Sequence, residues 1–285
     1  MLALDAADQL GEGPFWDERR GELLRVDIGR GLVHGWNPAS GDSWRLDVGG
    51  EVSAVVRRSD APGCVLAVGH RILLDDGSEV RELASVEEGL PDNRFNDCKC
   101  DPQGRLWAGT MSKRRTPGAA ALYRLAPEGG LDVAVSGTTI SNGLGWSPAG
   151  DRMYFIDSTM QRIDVFDFDG ATGAIANRRP FAQIDPADGL PDGLTVDADG
   201  GVWTCLFGGA AIRRYRPDGT RDTAVDLPVT NPTSPVFGGP ELETLYVTSA
   251  RHRLSDEQLA AEPLAGAVLA LTPGVRGMPS NRFGG

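Results

Sequence analysis

The chain has few basic residues and no long apolar stretch. Its 285 residues carry 40 acidic and 28 basic side chains, for a net charge of −12. This balance argues against a nucleic-acid partner, because binding phosphates requires a basic surface. No apolar run approaches the ~20 residues that a bilayer crossing requires, and residues 1–8 lack the basic region and apolar core of a secretory signal. We therefore expect a cytoplasmic protein that binds neither nucleic acid nor membrane.

Cysteine and histidine are also scarce, at four and three residues. Without an export signal the cysteines are expected to be reduced. Cys98 and Cys100 are two residues apart in a predicted strand and so face the same side. No second pair or nearby histidine completes a metal or redox site, so packing in the core is the favoured interpretation. His34, His70 and His252 show no spacing that suggests a Ser-His or Cys-His relay.

What the chain does contain is a repeat. A polar residue recurs at intervals of 39 to 50 residues, each time before a short apolar run, a turn and a second run. The six polar positions are Glu12, Glu51, Asn96, Asn142, Asp192 and Thr233. Runs rich in Trp, Tyr and Val with Asp-Gly turns at this period are typical of propeller blades. We predict an all-β fold, a six-bladed β-propeller of four-stranded antiparallel blades, with residues 1–285 forming a single domain.

The strand pattern also predicts how the ring closes. The first five blades each have a predicted outer strand, placed at Arg179–Ile184 in the fourth blade, but no outer strand follows Leu271 in the sixth. The N-terminal segment Leu2–Ala6 is therefore predicted to pair into the last blade, which removes free sheet edges. The one helical segment is Asp256–Ala261, after the capping signal of Ser255. A closed propeller is expected to be a monomer by default.

Polar side chains at a shared register would form a ring around one mouth of the central channel. Glu12, Asn142 and Asp192 supply two carboxylates and one amide oxygen, which suit Ca²⁺, Mg²⁺ or Mn²⁺, with Fe²⁺ or Zn²⁺ as further candidates. Taken singly, Asn-Gly and Asp-Gly are ordinary turn dipeptides. A turn alone does not explain a shared offset from the next strand, so we predict a metal site with coordination positions left open for water and substrate.

Motifs along almost the whole chain resemble a known family. They are Gly11–Trp16, Asn93–Asp97, Gly104–Met111, Ser141–Trp146, Pro191–Leu194 and Leu245–Ala250. In this order they resemble the regucalcin–gluconolactonase family of six-bladed propeller lactonases. The resemblance implies one divalent metal ion, with Ca²⁺ as the first expectation, held by Glu12, Asn142 and Asp192. It also implies that Arg94 and Asn96 contact a sugar lactone.

The activity implied by the resemblance is hydrolysis of a sugar aldonolactone to the aldonic acid, with the metal as Lewis acid and an activated water. Asp192 is implied as the general base. A carboxylate bound to a dication is a weak base, so a hydroxide held by the ion is the physical alternative. Two other functions remain open on the same ring, namely an organophosphate-type hydrolase and a non-enzymatic propeller that binds a metal or ligand.

Two features beside the ring need separate interpretation. Asp97 is expected either to orient Arg94 or Asn96 or to cap a turn. The stretch Ser112–Thr116 is basic, whereas animal members of the family carry acidic residues here, one of which contacts the substrate. This loop is therefore either simply solvated or selects a more anionic substrate.

Overall fold

Six four-stranded sheets make up the computed structural model, which describes residues 1–285 throughout. Within each sheet the strands are antiparallel and follow chain order, except that the N-terminal strand joins the last sheet. The first strand of every blade packs against the first strands of both neighbouring blades. These six strands therefore surround a central channel, and the predicted six-bladed propeller is confirmed.

The strand bounds follow the repeat. β1 (Leu2–Leu4) opens the chain. The first blade consists of β2 (Gly11–Asp17), β3 (Glu22–Asp27), β4 (Leu32–Trp36) and β5 (Ser43–Asp47). The second consists of β6 (Val52–Arg57), β7 (Cys64–Val68), β8 (Arg71–Asp75) and β9 (Val80–Ser85). The third consists of β10 (Asn93–Cys100), β11 (Leu106–Ser112), β12 (Ala120–Leu125) and β13 (Leu131–Thr138).

The remaining blades repeat this arrangement. The fourth consists of β14 (Ser141–Trp146), β15 (Arg152–Asp157), β16 (Arg162–Asp169) and β17 (Ala174–Gln183). The fifth consists of β18 (Leu190–Val196), β19 (Val202–Phe207), β20 (Ala211–Tyr215) and β21 (Arg221–Asp226). The sixth contains β22 (Pro232–Gly238), β23 (Thr244–Ser249) and β24 (Val268–Leu271) from the C-terminal part of the chain.

The ring closes through the N-terminal strand, as predicted. β1 pairs antiparallel with β24, with Leu2 opposite Leu269 and Leu4 opposite Val268. The sixth sheet therefore has the order β1, β24, β23, β22. Since the first and last parts of the chain share this sheet, no blade is left with a strand missing.

Burial decreases from the channel outward. β3 is buried at all six positions, whereas β5 is exposed at all five. Inner and second strands are covered on both faces by neighbouring blades, and this explains why their sequences are continuous apolar runs rather than alternating ones. Outer strands face solvent, so they carry the weakest sequence signal.

The third and fifth blades use the same buried pair to join their first two strands. The indole Nε1 of Trp107 donates to Asp101 Oδ2 at 3.0 Å, and that of Trp203 donates to Asp197 Oδ2 at 2.8 Å. A buried indole N–H needs such a partner. Trp107 also lies edge-to-face with Trp146 of the next blade, with ring centroids 6.0 Å apart. The repeated tryptophans therefore fix both the hairpins and the contacts between blades.

The one α-helix is where the sequence placed it. α1 (Asp256–Ala261) lies between β23 and β24. Ser255 Oγ accepts from the Gln258 backbone N–H at 3.2 Å, and Gln258 Oε1 accepts from the Ser255 N–H at 2.9 Å, forming a capping box. No helix in the structure is long and apolar enough to cross a membrane.

The outer strand of the fourth blade differs from the prediction. It spans Ala174–Gln183 rather than Arg179–Ile184. The hairpin turn before it ends at Gly173, whose N–H donates to the Asp169 carbonyl at 2.7 Å. Residues 174–178 have no apolar alternation and are mostly exposed. Backbone pairing with β16, rather than burial, determines the start of this strand, so its hydrophobic pattern gave no sign of it.

Candidate metal and substrate site

Every innermost strand has a break in its pairing register at or near the predicted polar position. The breaks lie between Glu12 and Phe15, Val52 and Ala54, Phe95 and Cys98, Asn142 and Leu144, Pro191 and Leu194, and Pro232 and Pro235. A bulge leaves a residue unpaired and redirects side chains. The shared register predicted from the sequence therefore has a backbone cause. Only Glu51 lies outside its strand, directly before β6.

Glycine follows each of the three predicted metal ligands, and the structure explains two of these glycines by close packing. A Cβ on Gly143 would lie 2.8 Å from the backbone oxygen of Asp192, and a Cβ on Gly193 would lie 2.2 Å from Ser234 Oγ. Gly13 has a positive φ of 53°, which favours glycine. The Asn-Gly and Asp-Gly pairs are thus points where adjacent blades approach each other, not exposed turns.

Asn142 and Asp192 are in direct contact. Asn142 Nδ2 donates a short hydrogen bond to Asp192 Oδ1 and a second one, of 3.0 Å, to Ser158 Oγ. Asn142 is buried, and its Oδ1 has no hydrogen-bond partner. Buried polar atoms without a partner are uncommon, so this amide oxygen is available to a further group. The sequence did not identify Ser158, although it follows directly on the buried end of β15.

Glu12 lies close enough to Asp192 for their charges to oppose each other. Burial raises the pKa of Glu12 well above its ordinary value, and the charges of Asp192 and Asp97 raise it further. Burial likewise raises the pKa of Asp192 to about 8, against the lowering effects of the Asn142 hydrogen bond and the Arg94 charge. Two buried carboxylates that repel each other favour a positive charge between them.

The oxygen atoms of Glu12, Asn142 and Asp192 suit a cation that prefers oxygen ligands, although only two of these residues are carboxylates. No group of three or more His, Cys, Asp or Glu side chains is positioned to hold a metal ion. Glu12 and Asp192 supply two carboxylates, and the unpartnered Oδ1 of Asn142 is a further oxygen donor beside them. Carboxylate and amide oxygens suit hard cations such as Ca²⁺ and Mg²⁺, and the absence of thiolate and imidazole disfavours a structural zinc site.

The two predicted substrate residues lie beside these carboxylates. Arg94 is buried, and its Nη1 donates to the Phe95 carbonyl at 2.7 Å and to Asn96 Oδ1 at 3.1 Å. Its charge acts on both Glu12 and Asp192. Asn96 Nδ2 donates to the Ser141 carbonyl at 3.0 Å, which joins the third blade to the fourth. Arg94 and Asn96 are therefore fixed at the mouth where Glu12 and Asp192 meet.

Two members of the predicted ring do not join this group. Thr233 Oγ1 donates to the Gly11 carbonyl at 2.6 Å and lies 2.8 Å from Thr248 Oγ1, so it links the sixth blade to the first. Glu51 is more exposed and pairs with Lys113 at 3.0 Å and with Arg94 Nε at 3.7 Å. The ring of six thus contributes Glu12, Asn96, Asn142 and Asp192 to the inner site.

Asp97 does not orient Arg94 or Asn96. Its buried carboxylate has no side-chain partner, and it lines a cavity of about 360 Å³ in the channel. The same cavity is lined by Lys99, whose Nζ donates to the Leu194 carbonyl, and by Met278–Asn281 of the C-terminal segment. The bulge in β10 causes the difference, since it places Asn96 and Asp97 outside normal alternation.

Known proteins match this chain along nearly its whole length. Residues 10–251 match the family described as SMP-30/Gluconolactonase/LRE-like region. Regucalcin of Gallus gallus is 37% identical, over 97% of this chain and 95% of its own. The Bacillus subtilis (strain 168) protein named "Putative sugar lactone lactonase YvrE" is 34% identical, over 95% of this chain and 93% of its own.

The fold agrees with a solved structure. The crystal structure of a calcium-binding protein, regucalcin, from Agrobacterium tumefaciens strain C58 superposes with a TM-score of 0.94 at 30% identity, covering 99% of this chain and 96% of that one. Similarity of this extent, together with the family match, establishes common descent of the whole propeller. The chain belongs to the SMP-30/gluconolactonase/LRE-like family, as its motifs predicted.

Proposed function

We propose that this protein is a metal-dependent hydrolase that opens a sugar aldonolactone to the aldonic acid. The observation that carries the proposal is the meeting of Glu12, Asn142 and Asp192 at one channel mouth, with Arg94 and Asn96 beside them. Membership of the gluconolactonase family and the lactonase name of the B. subtilis relative support the reaction class. The calcium-binding description of the A. tumefaciens protein supports a divalent ion.

Glu12, Asn142 Oδ1 and Asp192 would hold the ion. The unpartnered amide oxygen and the two opposed carboxylates are the structural support for this assignment. Ca²⁺ is the first candidate because all three donors are oxygen, and Mg²⁺, Mn²⁺, Zn²⁺ and Fe²⁺ are the others to test. When bound, the ion supplies Lewis-acid polarisation of a carbonyl oxygen.

Arg94 and Asn96 would orient the sugar. Two of the Arg94 nitrogens are engaged, Nη1 with Phe95 and Asn96 and Nε near Glu51, whereas Nη2 donates to no protein acceptor. That nitrogen can donate to a hydroxyl or carbonyl oxygen of the lactone. Asn96 is held by Arg94 on one side and by the Ser141 carbonyl on the other, so it offers a preorganised polar contact.

Asp192 would be the residue that moves a proton. Its Oδ1 accepts from Asn142, and its Oδ2 accepts no hydrogen bond within the protein. In the proposed reaction water attacks the lactone carbonyl carbon while Asp192 takes a proton from that water. The bond from this carbon to the ring oxygen then breaks, and the ring oxygen takes a proton as it leaves. The carboxylate oxygen that accepts no hydrogen bond is the one that can take this proton.

The test measures hydrolysis of a panel of five- and six-membered aldonolactones, with proton release as the readout. The protein is first stripped of metal, and each divalent ion is then restored singly. We expect turnover that requires an ion and is lost in Glu12→Gln. The matched control is Glu241→Gln, an exposed carboxylate near the turn between β22 and β23, at the opposite end of the blade. No lactone turnover with any ion would overturn the proposal, and turnover of a phosphotriester instead would replace it.

A further inference from the structure

Two arginines near the mouth of the site have no acidic partner. Arg115 follows β11 in the loop that also holds Lys113 and Arg114, which pair with Glu51 and Asp92. Arg115 itself makes no ion pair. Arg253 follows β23, and its Nε donates to the neighbouring His252 Nε2 at 3.2 Å. In a chain with a net charge of −12, exposed arginines without a carboxylate partner at a substrate mouth call for explanation.

The two arginines come from opposite sides of the propeller. The innermost strands run away from the mouth and the second strands return to it, so the loops after β11 and β23 both lie at the mouth. The third and sixth blades are three steps apart in the ring of six, and therefore face each other across the channel. Their loops fold inward far enough for the Arg253 charge to act on Arg115, and for both to act on His252.

This arrangement is held in place by the backbone. The His252 N–H donates to the Gln9 carbonyl at 2.9 Å, and the His252 carbonyl accepts from Asn231 Nδ2 at 2.9 Å. The Arg115 N–H donates to the Ser112 carbonyl at 2.8 Å. Arg115 and Arg253 both have positive φ, 55° and 66°, a conformation uncommon for residues other than glycine. The backbone of both loops is therefore held in a defined turn at Arg115 and at Arg253.

The charges of Arg115 and Arg253 act on His252, and so does the charge of Arg94 at the inner site. Burial lowers the pKa of His252, and the charges of Arg253, Arg94 and Arg115 lower it further. His252 is thus within reach of the charges of the buried Arg94, next to the predicted metal ligands, and of the two exposed arginines. Arg115 and Arg253 have no carboxylate partner of their own, which favours binding of an anion, and the guanidinium fork matches both carboxylate and phosphate oxygens.

We propose that the substrate is a lactone with an anionic group, a carboxylate or a phosphate, at the end remote from its ring carbonyl, and that Arg115 and Arg253 bind this group from opposite sides of the mouth. The inference rests on the proposed lactonase function and names its substrate class. The lactone carbonyl would lie at the inner site and the anionic end at the rim. The basic loop is then a specificity determinant rather than only a solvated surface.

The experiment compares three lactones that differ at one end only. They are glucono-1,5-lactone, which is neutral, its 6-phosphate, and glucaro-1,5-lactone, which has a carboxylate at that position. We expect kcat/KM to be at least about tenfold higher for one or both anionic lactones. The higher of the two values identifies the group as phosphate or carboxylate.

The variants are Arg115→Gln, Arg253→Gln and the pair together. In the double variant the preference for the anionic lactone should fall at least about tenfold, through KM, while hydrolysis of the neutral lactone stays within about twofold. Arg81→Gln is the matched control, because Arg81 is exposed and unpaired on β9, the outer strand of the second blade. Added salt should reduce the preference in the wild type, since exposed charges are screened.

Several outcomes separate this inference from the proposed function. Equal or better turnover of the neutral lactone, or equal losses on all three lactones in the double variant, would overturn the inference and leave the lactonase intact. If no lactone is hydrolysed, the proposed function fails. Calorimetry with 6-phosphogluconate, glucarate and gluconate then decides whether the anion site exists. Tighter binding of the first two, lost in the double variant, supports the site, and equal binding of all three refutes it.

Discussion

Asn142 and Asp192, which lie 50 residues apart in adjacent blades, are joined by a hydrogen bond from the amide Nδ2 to the carboxylate Oδ1. This contact orients both residues. Asn142 Oδ1 is left without a partner, and Asp192 Oδ2 accepts no hydrogen bond. The Asn142 amide thus fixes Oδ1 of Asp192 by a hydrogen bond and leaves Oδ2 without one. The proposed chemistry requires such a carboxylate oxygen without a hydrogen bond.

The first prediction concerns Asp192→Asn. The substitution keeps an oxygen donor but removes a base, so we expect metal binding to persist while kcat falls by about 10²- to 10⁴-fold. Calorimetric titration with the activating ion and initial rates on the preferred lactone would measure the two effects separately. Full activity with bound metal would show that Asp192 is not the base.

The second prediction concerns removal of the ion. Chelation should abolish turnover while the protein stays folded at 25 °C, because the six sheets are joined by their own hydrogen bonds and apolar contacts. The thermal midpoint should nevertheless fall, since a ligand that binds only the native state stabilises it and Glu12 and Asp192 are left as opposed buried carboxylates. Circular dichroism before and after chelation would check both points. Cooperative unfolding on chelation would instead identify the ion as structural.

The third prediction concerns the close approach of the fifth and sixth blades. In Gly193→Ala the new Cβ would meet Ser234, at 2.2 Å from Oγ and 2.7 Å from Cα. We expect a loss of about 1–3 kcal/mol of unfolding free energy by urea denaturation, together with reduced metal affinity because Asp192 is adjacent. Gly89→Ala is the matched control, since nothing lies within 4 Å of its added Cβ and its φ is not positive. Equal stability of the two variants would contradict the close packing.

The sequence predicted the blade count, the closure by the first strand and the residues that meet at the mouth. It did so because a repeated offset reports a repeated backbone feature, which the structure shows to be a bulge in each innermost strand. The bulge itself has no sequence signature in these runs. The position of Asp97, directed into the channel cavity rather than toward Arg94, was for this reason not predictable.

The sequence repeat could not predict which residues lie near each other across the mouth. Arg115 and Arg253 are 138 positions apart in blades that face each other, and loop conformation alone brings their charges together. The sequence showed that Ser112–Thr116 is basic, but it did not show that the loop after β23 lies near it. A repeat therefore locates the residues of the rigid ring and gives no information on the loops around the mouth.

The last prediction concerns the four cysteines, which are all free and buried. Burial raises the pKa of Cys64 to about 11 and those of Cys98, Cys100 and Cys205 well above the ordinary value. The thiolate is the reactive form, and a raised pKa keeps the thiol protonated at pH 8. A colorimetric disulfide reagent should therefore label almost no thiol in the folded protein.

Reactivity should increase as the pH approaches 11, first at Cys64, which is the most exposed of the four at 8%. Cys64→Ala should remove this early fraction. In denaturant all four thiols regain an ordinary pKa and should react at pH 8. Rapid labelling of Cys98 or Cys100 in the folded protein would contradict their placement in the apolar core beside Phe95, and would revive a redox or metal role for the Cys-x-Cys pair.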